Sequence, residues 1–565
     1  MKIKYILCVL FFSALTAGSC KQDILDLKPL NGFSETDVFA DAALLTQYVN
    51  GVYRGMGHPF GGEGDKFIEG MTDDGYNQHG GTTNPYRLYT AGEIGSDQGE
   101  SLNDNLWSNS YNQIRRVNLF FEKTTNSTIP AAQLQALGGE MRFLRAFFYA
   151  RLMIWYGGVP LITETYNLGQ ESYDVSRNTP DEIAAFVVRE CDLAAAVLPS
   201  FTATDYGKAS REAALALKAR TLLYAASPLF NPNNEQARWI AARDANKVVM
   251  DLTSINNITN ADDYGNVFNG KSRNDVILSR SFTQNNAHGG GEWGINMWFY
   301  PGSMNGWGTL VPTQDLVNAY EMTNGKLPSD PTSGFNISNP YTNRDPRFAK
   351  TILYQGATIF DPEQKLNREL QYFYDKNDPT NTAKNGIDGK GGPNQPWNNS
   401  PTAYNFRKFL DEGKRAQQKG ADENLSPWIY FRKSEFYLNY AEAQIALNNE
   451  GEARSALNTI RSRYGMPAIT EGGAALVQRY RNERRVELVI EQHRFHDMRR
   501  WKLGAAVFAK PALGALILKN GNTFEYNLTN VVDNTRKFVE KMNLVPIPFS
   551  EIQRSHGKLV QNPGY

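Results

Sequence analysis

The residues in this sequence best suited to breaking a bond are two adjacent carboxylates, Asp73 and Asp74, in a loop after Met71-Thr72. Hydrolysis of a glycosidic bond needs two carboxyl groups opposed across the substrate, roughly 5 to 9.5 Å apart. A directly adjacent pair reads more simply as a loop anchor. A second charged constellation lies late in the chain: Arg484, Glu487, Glu491, Arg494, Asp497 and Arg500, spaced three, four, three, three and three. On one helix they line a single face, where each exposed pair contributes about 0.2 to 0.5 kcal/mol. They read as a structural network whose buried members orient neighbouring helices. His493 and His496 offer two metal ligands where a closed site takes four, so neither metal nor cofactor is expected. No Gly-x-Ser-x-Gly elbow, His-Glu-x-x-His helix or Walker-type phosphate loop is read from the sequence. Nothing in it demands catalysis.

Binding is better represented. Between His288 and Trp307, Trp293, Trp298 and Trp307 occur with Phe299 and Tyr300 among six glycines and one charged residue, Glu292. Indole has an apolar face and a polar N–H edge, and a Gly-rich chain can turn such faces to solvent. Sugar rings stack axial C–H groups on them while their hydroxyls seek Asn, Gln, Asp and backbone groups. Trp293, Trp298, Tyr300 and Trp307 are therefore candidate ligand contacts; the alternative is that they plug the join between loops and helices. A second loop, Phe60 to Tyr89, adds Tyr76, Asn77, Gln78, Tyr86 and Arg87, and Trp397 between Pro396 and Asn398 is a third candidate.

These loops need a frame, and the sequence supplies helices. Leu137, Met141, Leu144, Phe148, Leu152 and Trp155 share one helical face, which Gly157-Gly158 and Pro160 terminate. Thr179-Pro180-Asp181-Glu182 is a capping box opening a helix to Leu198, and Ser210 to Ala226 is another. From Ser254 to Pro427 turn formers dominate, which in a compact chain marks a functional surface or a linker. Periodicity returns at Phe436, Tyr440, Ala443 and Leu447, then from Glu452 to Arg463, with small Ala441 and Ala453 placed as in a tetratricopeptide helix pair.

Met1 to Cys20 has the form of a secretory leader: Lys2 and Lys4, an apolar run from Tyr5 to Leu15, then Thr16-Ala17-Gly18-Ser19 before Cys20. The small-small-Cys ending resembles a lipobox, which would leave Cys20 as the lipidated N-terminus, with Ala17 where an aliphatic residue is usual. Of three cysteines only Cys191 then remains, so an ordinary intrachain disulfide is excluded and Cys191 is expected to be a buried small hydrophobe. With 59 basic and 59 acidic residues, there is no field for nucleic acid.

Four segments together resemble the SusD/RagB family of outer-membrane nutrient-binding lipoproteins of Bacteroidota. They are Glu140 to Tyr149 continuing through Trp155 to Ile162, Asn343-Arg344-Asp345-Pro346-Arg347-Phe348, Glu483-Arg484-Arg485-Val486-Glu487-Leu488 through Arg494 to Trp501, and the ends Pro546-Ile547-Pro548 and Gln561 to Tyr565. The resemblance implies a mostly α SusD-like fold, with tetratricopeptide-like helix pairs as scaffold and a loop-rich ligand-binding face. It implies a leader over 1–19, a lipid-anchored tether over 20–40, an N-terminal helical region over 41–253, and a C-terminal region over 254–565 with loops at 254–427 and helices at 432–502. It also implies outer-membrane attachment through Cys20, an exterior-facing position, a SusC-like TonB-dependent transporter as partner, and capture of an oligosaccharide without cleavage. A peptide ligand of the RagB type and a lipid-anchored glycosidase are the alternatives.

Overall fold

The computed structural model describes residues 33–60, 67–79, 84–103, 105–166, 175–288, 294–416 and 423–565. Cys20 and Trp293 lie outside them. Helix accounts for 46% and strand for 11%. The first half is built on α1 (Ala42–Tyr53), α2 (Leu106–Lys123), α3 (Ala131–Tyr156), α4 (Pro180–Ala195), α5 (Arg211–Ala226) and α6 (Gln236–Met250). From α2 onward each packs on the next. Helix α3 buries the expected stripe and also Phe143, Phe147, Tyr149 and Met153, so from Met141 onward it is buried on almost all sides, as a central helix is. Gly157 ends it at φ 77°, a conformation glycine adopts freely. The Thr179 box is formed as read, Thr179 Oγ1 accepting from the Glu182 N–H at 3.2 Å and Glu182 Oε2 from the Thr179 N–H at 2.7 Å. The helix it opens stops at Ala195, short of Leu198. Cys191 is free and buried, and burial pushes its thiol pKa up.

The stack then skips a long excursion. Helix α7 (Lys433–Ala446) packs directly on α6, and α8 (Glu450–Arg463) packs on α7. The main strands are β1 (Gly75–Asn77), β2 (Val276–Arg280), β3 (Leu310–Pro312), β4 (Trp428–Arg432), β5 (Ala512–Asn520) and β6 (Thr523–Asp533). Strands β2 and β4 pair antiparallel, Val276 opposite Arg432 and Arg280 opposite Trp428. The loop-rich segment therefore leaves and re-enters the scaffold at one point, and has its own apolar core around Trp298, Tyr300, Phe348, Tyr404 and Phe406.

One sequence expectation is corrected, and two elements are added to it. The late signature is two helices, α9 (Gly473–Glu487) and α10 (His493–Arg500). The break between them holds Ile490 at φ 50° and Gln492 at φ 65°, so its charges do not share one helical face. After these helices comes a hairpin, β5 with β6, in which Phe524, Tyr526 and Leu528 pack toward the excursion's core. Within the segment read as a tether, Glu35–Ala40 is a helix capped by Ser34 and Asp37.

Candidate functional site

Three loops converge around the β1–β3 pair, in which Tyr76 lies opposite Val311. The first is residues 76–79, the second residues 300–309, the third residues 390–399. Gln78 ties them: its Nε2 donates to Trp307 O at 3.0 Å, Gly308 O at 2.7 Å and Asn398 O at 3.1 Å. His79 Nε2 lies 2.7 Å from the same Trp307 carbonyl, so that nitrogen carries the proton. Asn399 clamps the third loop, its Nδ2 donating to Gly389 O and Asn394 O and its Oδ1 accepting from the Gly302 N–H at 2.8 Å. The glycines are there for closeness: a Cβ on Gly306 would stand 2.2 Å from Tyr300 O, and one on Gly302 2.6 Å from Gln395 O.

This assembly turns one ring outward. Trp397 is 65% exposed, on a short 3-10 turn, Pro396–Asn398, that follows Gln395 in the left-handed region. Around it are amides and one cation. Gln395 Nε2 donates to Asn305 Oδ1 at 3.2 Å, Asn398 Nδ2 to Gln395 Oε1 at 3.1 Å, and Lys390 Nζ to Trp397 O at 3.2 Å. Burial lowers the Lys390 pKa. Trp307 is half-buried and meets the buried Trp298 edge to face, ring centres 5.5 Å apart. An indole face ringed by amide donors and acceptors can stack an apolar ring surface and hydrogen-bond groups at its rim.

The other sequence candidates lie elsewhere. Trp298 and Tyr300 are 0% exposed; they are the floor under the second loop, because a short helix, Ile295–Phe299, turns them into the excursion's core. Tyr86 is buried in the helical core. Asn77 is buried, and its Oδ1 accepts from the His79 N–H at 3.2 Å. Tyr76 is half-buried under Arg87, whose guanidinium lies 5.8 Å from the ring centre and 3.9 Å from Asp533. Trp293 lies outside the described residues. Of the seven ligand candidates among the described residues, Trp397 is the largely exposed one, and the half-buried Trp307 belongs to the same three-loop assembly. Asn305, Lys390, Gln395 and His79 belong to it and were missed; only their neighbourhood to an aromatic in turn-rich sequence marked them.

The charged residues are used structurally. Arg494 grips Asp73 with two hydrogen bonds of 2.8 Å, and Arg485 bonds Asp74. Burial would raise both carboxyls; Arg485 and Arg494 override it at Asp73 and hold that carboxyl below its usual range. At Asp74 burial wins and the pKa rises, but the side chain is fully buried and out of a substrate's reach. Glu487 accepts from Arg432 at 2.7 Å and Arg347 at 2.8 Å, and although burial opposes it, these two bring its pKa down to about 2. Asp497 joins Arg484 to Arg500, which reaches Glu442. Asp497–Arg500 is an intrahelical i,i+3 pair of the expected kind; the other partners sit on other elements, so most of these bonds join elements. Glu69, in the turn before β1, links network to loops: its Oε1 accepts the Gln492 N–H at 2.6 Å across the α9–α10 break.

One pattern escaped the sequence reading. Gly265 to Ser272 spells a phosphate loop letter by letter. The structure places Gly265 inside a helix, Ala261–Phe268, with Gly270 to Ser272 in the turn after it, the reverse of the strand–loop–helix order that aims N–H groups at phosphate. The Lys271 and Ser272 N–H groups both donate to Asn266 O, so no cradle forms. Among the described residues no group of three or more His, Cys, Asp or Glu side chains is placed to hold a metal ion, and no helix is long and apolar enough to cross a membrane.

No curated protein matches the chain, but solved structures do. A SusD-like protein from Bacteroides fragilis superposes with a TM-score of 0.76 at 27% identity, covering 95% of this chain and 100% of that one. A SusD-like carbohydrate binding protein from the same organism gives 0.74 at 25%, covering 92% and 99%. A laminarin binding SusD-like protein shares the fold, with a TM-score of 0.61 at 20% identity over 94% and 100%. A family model described as starch-binding associating with outer membrane matches residues 23–223. The model of the SusD family matches residues 274–565. With that match running over more than half of the sequence, and the same architecture in its structural neighbours, the chain belongs to the SusD family.

Proposed function

We propose that the protein is a lipid-anchored, outward-facing glycan-binding protein of the outer membrane, which holds an oligosaccharide on the Trp397 face and passes it uncleaved to a SusC-like TonB-dependent transporter. The observation that carries this reading is the exposed Trp397 indole on a rigid three-loop platform with amides at its rim. Support comes from the family models, one described as starch-binding associating with outer membrane, and from a structural neighbour titled a carbohydrate binding protein. Cys20, preceded by Ala17-Gly18-Ser19, is the anchor in this reading. The non-catalytic part of the reading is supported by how the most suspect carboxylates, Asp73 and Asp74, are held by Arg494 and Arg485.

The test is native affinity electrophoresis of the chain from Cys20 onward in gels cast with plant, host and microbial polysaccharides, laminarin among them, with released sugar monitored in parallel. Retardation by one class without product, lost in Trp397→Ala, is the expected result. Binding of peptides alone would move the protein to the peptide-handling branch, and released sugar would overturn the non-catalytic reading. Delivery is tested by co-purification with a TonB-dependent transporter from outer membranes.

A further inference from the structure

A cavity of about 150 Å³ lies inside the helical half, between residues 56–59 and α3, α5, β4 and α10. Trp155 and Trp428 are aromatic walls; Tyr224, Arg220, His493 and His496 supply polar groups. It is separate from the Trp397 face, and the proposed function makes no use of it. This is the volume in which a single six-membered ring is accommodated.

Its wall also holds the amides Asn103, Asn109 and Gln492 and the ring of His58, and among its polar groups three donors stand out. Arg484 Nη2 lies 3.4 Å from His493 Nδ1 and Arg499 Nη1 3.5 Å from His496 Nδ1. A guanidinium only donates, so both Nδ1 atoms accept and both rings carry their proton on Nε2. Burial first, and then the surrounding arginines, Arg220 among them at both rings, hold the two imidazoles well below the ordinary histidine pKa, so this tautomer persists at neutral pH. Neither Nε2, nor the hydroxyl of Tyr224, a side chain only 3% exposed, has a hydrogen-bond partner among the described residues.

The charge balance points the same way. Glu491, the one carboxylate in the wall, is spent on Arg432 and Lys408 at 2.7 Å each. Arg499, 1% exposed, donates to Asn543 O and Trp155 O at 2.9 Å. Burial lowers its pKa, and only tyrosines offset this. Arg499 stands behind His496 and not in the wall; three unmet donors, two of them backed by Arg484 and Arg499, favour an acceptor bearing negative charge.

We propose that this cavity is a second binding site, for a small organic carboxylate the size of one sugar acid, received by the Nε2–H groups of His493 and His496 and the Tyr224 hydroxyl. Sodium glucuronate and glucose are the probes, titrated calorimetrically into the chain from Cys20 onward. The expected result is one glucuronate per chain, with glucose at least about tenfold weaker because a charged acceptor makes the stronger hydrogen bonds. Tyr224→Phe, which keeps the ring, weakens glucuronate about three- to tenfold, and His496→Phe by more than about tenfold. Equal affinity for both probes, glucuronate binding indifferent to both substitutions, or no binding of either probe (a water-filled cavity only) would each overturn the proposal. If His496→Phe fails to fold, Tyr224→Phe decides alone.

Discussion

The late charged signature and the aromatic loops treat their conspicuous residues in opposite ways. In α9 and α10, residues with the chemistry of an active site are turned inward and consumed by one another: Arg484, Glu487, Asp497 and Arg500 are each at most 3% exposed. In the excursion, one of several tryptophans in similar Gly- and Asn-rich sequence is turned out, while Trp298 is sunk beneath the second loop. Chemical potency in a sequence is thus a poor guide to function here, and exposure, set by non-local anchors, is the better one. Buried ion pairs are weak evidence for stability, since desolvation offsets their attraction, but removing one member leaves an unpaired charge. The network's value is in fixing the joint that carries the loops.

That contrast can be broken in order of expected effect. Glu487→Ala takes one carboxylate from both Arg347 and Arg432, which keep Asp345 and Glu483, and Asp275 and Glu491, and should cost about 3 kcal/mol, the low end for breaking a buried pair, read by urea unfolding. Since Glu487 is depressed to about 2, its contribution is complete above the unfolded carboxylate range and is lost as pH falls from about 4.5 toward 2; the variant should flatten that limb. Trp298→Ala should cost about 3 kcal/mol through its cavity and abolish glycan retention with it, because the second loop loses its floor. A small loss with retention intact would show that Trp298 is not structural.

Glu69 tests the joint between the regions. Burial raises its pKa from 4.5 to about 7, so the folded state keeps a proton that the unfolded state releases, and stability falls as pH rises through that window. Glu69→Gln, whose Oε1 still accepts the Gln492 N–H, should remove that slope and gain on the order of 1 to 3 kcal/mol at pH 8, seen as a higher Tm there and not at pH 5. An unchanged slope would place the titration elsewhere. Gly306→Ala forces its Cβ onto Tyr300 O and should cost about 1 to 2 kcal/mol while weakening retention disproportionately. Trp397→Ala is the smallest in stability, within about 0.5 kcal/mol.

Local physics was legible in the sequence. The stripe of α3, its stop at Gly157 and the Thr179 capping box depend on neighbours a few residues away, and each forms where the spacing says. The α9–α10 break was not legible, because Gln492 is held by Glu69, 423 positions distant, and no local signal marks a left-handed Ile490. Nor could composition separate Trp298 from Trp397: the first is fixed by a five-residue helix facing Phe406 and its neighbours, the second by Gln78 and Asn399 clamping a remote loop. The β5–β6 hairpin is a different case. Asn520-Gly521 followed by alternating Phe524, Tyr526 and Leu528 is a hairpin signal carried by neighbouring residues alone. The His493–His496 pair reads in sequence only as an incomplete metal site, and the arginines behind both rings reveal two neutral donors.

The most direct measurement pairs native affinity electrophoresis with thermal unfolding for Trp397→Ala and the parent chain on the polysaccharide that retards the parent. The account predicts that the variant runs as if the polysaccharide were absent, a loss of about 2 kcal/mol or more of the kind a buried interfacial tryptophan carries, at an unchanged Tm. Retention equal to the parent's would contradict it.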